Sequence, residues 1–247
     1  MEEEFGKEIS QLYEEGRYGQ LIKRVYEKHS NILTCPTEIF VKFVCAQYWQ
    51  GNYKLAKDFI KLANNGYKDV TLTMLQLDIL ISGNAKAVQE VEVAINDTSY
   101  PVPELWNALA IATIKEPTLD RLVRIDQAMK GLKNSPELAA INLQNNVARV
   151  FSMFGFSEEA NNRWQQALER YGNKNYHHRA NICSRLAVDY DLQREYCLAK
   201  SKAKEACDLW KKALENDPGN LEFIRNLIDA ETMLRELIEI TAKKCRE

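Results

Sequence analysis

Three histidines and six cysteines are the residues of this chain most able to do chemistry, and their spacing gives them little to do it with. His177 and His178 are adjacent, so on a helix their side chains leave the axis about 100° apart, whereas a metal-binding pair sits at i, i+4. They read as the start of a helix, and His29 as a residue near a helix end, beside exposed carbonyls. Cys35, Cys45, Cys183, Cys197, Cys207 and Cys245 contain no C-x-x-C pair and no spacing for four thiolates around zinc. Most fall inside helical apolar patterns, which predicts buried, reduced thiols and a cytoplasmic protein. Cysteine catalysis needs a positioned histidine that this spacing does not supply. Phosphate-cradling loops of the G-x-x-x-x-G-K-[ST] type, G-x-G-x-x-G after a strand, and H-E-x-x-H are all missing from the sequence. The expectation is a non-enzyme with no catalytic residue, no metal site and no cofactor.

The elements that must position these residues are helices. The chain has 247 residues, 45% hydrophobic and 28% charged, with only 10 Gly and 6 Pro, so turns must be few and short. Amphipathic segments of roughly 12 to 18 residues, apolar at i, i+3, i+4 and i+7, follow one another with short breaks and no convincing strand. At the clearest break Gly155 suits a left-handed helix end and Ser157 the next helix start. Gly16-Arg17-Tyr18, Gly51-Asn52-Tyr53 and Gly83-Asn84 repeat the pattern, and each joins two helices into a hairpin. Longer connections at Ser135-Pro136-Glu137 and Asn216-Asp217-Pro218-Gly219-Asn220 separate hairpins. Helices are predicted near 2–14, 19–30, 38–50, 53–64, 68–81, 85–96, 103–115, 118–132, 137–154, 157–171, 177–194, 197–215 and 220–245. That order makes six hairpins and a closing helix.

Several stretches resemble the tetratricopeptide repeat (TPR) family, whose unit of about 34 residues carries W-x2-L-G-x2-Y in its first helix and small residues and a proline later. Trp106 and Leu109 match, with Ala110 in place of glycine and Thr113 in place of tyrosine. Val147 to Phe151 with Gly155, Ala160, Trp164 and Ala167 fits a whole unit. Ala187 with Tyr190, then Ala213 to Pro218, supply the start and end of a third, and Gly51, Tyr53, Ala56, Ile60 and Ala63 a fourth. Small residues let helix backbones approach, and aromatic residues fill the wider gap a turn away. The third hairpin lacks the aromatic signature, and the pair from 177 to 215 is longer than the standard unit. The fold class that follows is all-α: a right-handed superhelical solenoid of about six TPR-like hairpins with a C-terminal capping helix. It reads as one domain over 1–247, with divergent hairpins in 1–100, clearer repeats in 101–218 and the cap in 219–247. In the cap, Leu221, Ile224, Leu227, Ile228, Met233, Leu234, Leu237 and Ile238 are expected to form an inner stripe, which could instead bind a second copy.

The resemblance also implies a site. In that family the concave face, lined by first helices, holds an extended peptide through Asn side chains and basic residues. By position this selects Asn107, then Asn142, Asn145, Asn146 and Arg149, then Asn181 and Arg185. Asn142, Asn145 and Arg149 follow i, i+3, i+7 and share a helix face. Asn is a mediocre helix former, so several on one helix need a reason. An amide both donates and accepts, and Arg offers a planar fork to carboxylates. In the first half the corresponding surface would carry Glu38, Lys42, Cys45 and Tyr48, less polar and suited to an apolar side chain.

Charge bounds the partner. The formal net charge is −2, which disfavours nucleic acid. Residues 66–120 hold three basic against eight acidic residues, and 121–204 fourteen basic against eight, so an acidic partner is the natural complement if the basic groups converge. The N-terminus is acidic where a signal peptide would be basic, and no apolar run approaches the ~20 residues needed to span a bilayer, so no membrane insertion is expected. The leading expectation is a protein–protein adaptor, scaffold or assembly factor binding a protein or peptide. Its rivals are a regulatory sensor whose curvature changes on peptide binding and an RNA-binding helical repeat.

Overall fold

The computed structural model of the chain describes residues 2–68, 71–97, 102–132, 138–172 and 175–244. Among them are thirteen α-helices and no strand. They are α1 (Glu2–Glu14), α2 (Tyr18–Lys28), α3 (Thr37–Trp49), α4 (Tyr53–Leu62), α5 (Leu72–Ser82), α6 (Ala85–Asp97), α7 (Pro103–Lys115), α8 (Leu119–Leu132), α9 (Leu138–Met153), α10 (Ser157–Tyr171), α11 (Tyr176–Leu192), α12 (Tyr196–Asn216) and α13 (Leu221–Lys244). Consecutive helices pack as pairs, so the chain is all-α and built of helix hairpins. The connection at 135–137 and Cys245 lie outside the described residues. No helix among those described is long and apolar enough to cross a membrane.

The hairpin turns share one local code. After α1, Gly16 N–H bonds the Tyr13 carbonyl and Arg17 N–H the Leu12 carbonyl; after α3 and α9, Gly51 with Asn52 and Gly155 with Phe156 repeat both bonds. This crossed pair closes a helix when the first of the two residues is left-handed, and glycine adopts that conformation without a Cβ clash. α5 starts later than expected, because α4 continues into a wider turn over Ala63–Tyr67 with Gly66 at φ +83°. Thr71 then caps α5 by accepting from Met74 N–H.

The chain packs as two compact units, residues 53–170 and the combination of 1–52 with 171–247. In the first, α7 is buried on all sides, from Leu105 and Asn107 through Ile114, with α5, α6, α8 and α9 around it. Ala108, Ala110 and Ala112 keep its surface low enough for that crowding, and Ala160, Trp164 and Ala167 bury the matching stripe of α10.

In the second unit, the helices from the two ends of the chain share a core. Tyr18, Phe223 and Trp210 are each 1% exposed and meet Trp49 and His177 in a run of aromatic contacts. The Tyr18 hydroxyl and Nε2 of His177 share a hydrogen bond of 2.9 Å. Asp217 lies at the N-terminus of α2, accepting from Gly19 N–H at 3.1 Å, from Gln50 Nε2 at 2.6 Å and from Asn220 Nδ2 at 3.0 Å. α2 has no side-chain cap of its own, so a carboxylate distant in sequence satisfies an open amide and the positive end of the helix.

α13 buries only part of the stripe expected of it. Leu237 is buried and Leu227, Met233 and Leu234 are half-buried, but Leu221 is 63% exposed and Ile224, Ile228 and Ile238 are also exposed, while Phe223 and Ala230, outside that stripe, are buried. The helix is apolar on more than one side, and packing selected the line spaced by seven residues, which follows α12 more closely than the wider stripe.

Candidate functional site

α5, α7 and α9 are the first helices of three successive hairpins, and a relay of side-chain amides crosses all three. Gln76 Nε2 on α5 donates to the Glu104 carbonyl at 2.9 Å, Asn107 Nδ2 on α7 donates to Gln76 Oε1 at 2.9 Å, and Asn146 Nδ2 on α9 donates to Asn107 Oδ1 at 2.9 Å. Asn107 is buried and bonded at both ends of its amide; Gln76 and Asn146 are half-buried. The relay lets α7 bury a polar side chain, since each donor reaches an acceptor. Gln76 was not singled out in the sequence, where a lone glutamine inside the apolar run of α5 carries no signal without Asn107 opposite it.

Asn142, Asn145 and Arg149 are half-buried on α9. Asn145 Oδ1 accepts from the Trp164 indole N–H of α10 at 3.1 Å, so part of its capacity ties the hairpin together. Asn181 and Arg185 lie in the other unit, on α11, joined to each other by Arg185 Nε donating to Asn181 Oδ1 at 2.8 Å. Cys45, expected on the first-half surface, is 3% exposed, and burial pushes its thiol up to about 12. Lys42 of the same helix donates to Ser10 Oγ at 3.0 Å.

A second polar constellation went unnoticed in the sequence. Gln144 Nε2 donates to Gln166 Oε1 at 2.9 Å, Arg170 Nη1 donates to Gln144 Oε1 at 2.7 Å, and Arg163 pairs with Asp126. With Lys130, Glu159 and Asn162 some of these groups line a cavity of about 270 Å³ between α8, α9 and α10. The partners are contributed by three helices, and only their packing reveals the set.

His177 is buried, as are four of the five described cysteines. His177 and His178 open α11, as read from the sequence, yet their rings lie 4.0 Å apart because both turn against Trp49. Burial, then the neighbouring His178, holds His177 well below the usual imidazole range, and burial brings His178 down to about 4. Of the described cysteines Cys35, Cys45, Cys183 and Cys207 are buried and Cys197 is exposed. Burial drives Cys183 to about 12 and also raises Cys207, which keeps them as unreactive thiols. No group of three or more His, Cys, Asp or Glu among the described residues could hold a metal ion. The arrangement offers amide donors and acceptors, cationic forks and helix faces, which are tools of recognition.

Fold and site together define an all-α protein of paired helices with polar side chains crossing the first helices of consecutive pairs. No family model and no curated protein matches the chain. Among solved structures it is similar to a crystal structure of BtubC (BKLC) from P. vanneervenii, at 13% identity over 99% of this chain and 92% of that one, with a TM-score of 0.41. A likeness that slight carries no argument.

Proposed function

We propose that the chain is a non-catalytic, TPR-like interaction module of the cytoplasm, an adaptor or assembly factor that holds a protein segment against the face formed by α5, α7 and α9. The observation that carries this reading is the amide series from Gln76 through Asn107 and Asn146, continued on α9 by Asn142 and Arg149. Asn107, Asn145 and Asn146 hold the helices in register, and the half-buried Asn142 and Arg149 stand beside them on α9 with the amide and guanidinium chemistry that suits a backbone or a carboxylate. Four buried thiols and the buried imidazole of His177, which burial disfavours protonating, support recognition over turnover.

The test is affinity capture from native lysate by the intact chain and by Asn142→Lys with Arg149→Glu. Both substitutions are at half-buried positions of α9 and spare the Asn145 bond to Trp164. Retained proteins are expected to fall about tenfold while helical content is kept. Undiminished capture by a folded double variant removes this face from consideration.

A further inference from the structure

A groove of about 690 Å³ runs between α12 and α13, and its lining comes from those two helices alone. Cys207, Leu234 and Ile238 give it an apolar floor, with Ile238 49% exposed and Leu234 half-buried. Its walls carry Lys200, Lys204 and Arg235, together with Lys211 and Glu231, which pair at 3.1 Å, and Asp208. Four cationic groups therefore face two carboxylates. Neither Lys200 nor Lys204 has an ion-pair partner among the described residues. The α12 wall extends from Cys197 to Lys211, about 21 Å of helix, enough for four turns of a partner helix to lie alongside.

The other unit shows what such a cleft accepts. There α10 lies against α8, a preceding second helix, and α9, its own first helix. Arg163 pairs with Asp126 of α8, and the Trp164 indole bonds Asn145 of α9. α12 and α13 stand in the same order, a second helix followed by a first. The difference is charge: α8 presents an acid to a basic incoming helix, whereas the walls of the α12–α13 groove are basic.

We infer that the groove between α12 and α13 is a docking site for an acidic amphipathic helix of another protein, which inserts an apolar stripe over Leu234 and Ile238 and sets carboxylates against Lys200, Lys204 and Arg235. This surface is separate from the α5–α7–α9 face, and either can fail without the other. Burial of the stripe supplies affinity, and the lysines select the sign of the flanking charge.

Two synthetic helical peptides of about 16 residues test it, each with leucine at i, i+3, i+4 and i+7, one flanked by glutamate and the other by lysine. The full chain should bind the glutamate peptide about tenfold more tightly, with the difference shrinking as salt is raised. Lys200→Glu with Lys204→Glu should invert the preference. Ile238→Asp, at an exposed position, should weaken the glutamate peptide about tenfold. Bound peptide should also slow alkylation of Cys197, followed by mass mapping, since that thiol lies in the groove. Equal binding of the two peptides, a preference unchanged by the double reversal, or unprotected Cys197 would each overturn the inference. So would a dimer in sedimentation that Ile238→Asp dissociates, because a second copy would then own the groove.

Discussion

At Gly19 two effects of adding a methyl group oppose each other. Inside an exposed helix, Gly→Ala is worth about 1 kcal/mol in favour of folding. Here an ideal Cβ would stand 2.9 Å from Asp217 Oδ1 and 3.2 Å from Gln50 Nε2. Asp217 is buried and held by Asn220 and Gln50 as well, so it cannot retreat without losing charge-assisted bonds worth about 1.5–3 kcal/mol. Gly19→Ala is therefore expected to lower stability by about 1 kcal/mol in urea unfolding, and a higher midpoint would contradict the contact's importance. The buried imidazoles make a second prediction at this scale. His177 and His178 titrate near 6.5 when unfolded but lower when folded, His178 at about 4. Between those values the unfolded chain binds protons that the folded chain refuses, so their contribution is complete above about pH 6.5 and is lost as pH falls, by up to about 1.4 kcal/mol per unit for each. Asp217, raised by burial, opposes this at the acid end. Melting temperature should drop between about pH 7.5 and about pH 5, and His178→Gln should flatten the decline; identical melts at both values would show that these rings are not refused their protons. Little of this was legible beforehand: the sequence marks His177 as the start of a helix and Tyr18 as part of a hairpin break, and it is blind to partners separated by 159 residues.

Helix existence and order, by contrast, were readable, because each element carries its own punctuation. Glycine at three hairpin turns announces a left-handed residue, and the crossed hydrogen bonds follow. The α11–α12 turn keeps those bonds without the signal: Arg194 N–H reaches Asp191, Glu195 N–H reaches Tyr190, and Arg194 sits at φ +64°. That is why the sequence extended α11 to 194 while the helix ends at Leu192. A non-glycine residue in this region costs about 1 kcal/mol or more, and Arg194 is exposed. Arg194→Gly should accordingly raise stability by about 1 kcal/mol, measurable as a higher urea midpoint; destabilisation would place the arginine side chain in an interaction that outweighs backbone strain. α13 marks the limit of reading by element. Its apolar residues cover more than one face, so amphipathicity alone could not decide between Leu221 with Ile228 and Phe223 with Ala230.

At the scale of the molecule, the informative feature is that one unit is assembled from the two ends of the chain. Hairpin arithmetic suits neighbours in sequence and is silent about α2 meeting α11 and α13, since each of those helices reads as an ordinary amphipathic segment. The amide relay of α5, α7 and α9 lies within consecutive hairpins, and its asparagines were accordingly visible even though their mutual bonding was not. The discontinuous unit makes a physical demand: residues 1–52 expose Tyr18 and Trp49 when alone, residues 171–247 expose His177 and Phe223, and the Asp217 carboxylate loses the Gly19 amide. Produced as two separate polypeptides, these segments should bind each other and gain helicity on mixing, forming a 1:1 complex in sedimentation. Burial of Tyr18 and Phe223 drives the association at about 2 kcal/mol or more per side chain, and the buried hydrogen bonds fix its register. Asp217→Ala in the C-terminal segment should weaken the complex about tenfold, since it leaves the Gly19 amide and the Gln50 side chain without their acceptor. Segments that ignore each other when mixed would show that the shared aromatic core depends on the intervening residues 53–170 to bring its halves together.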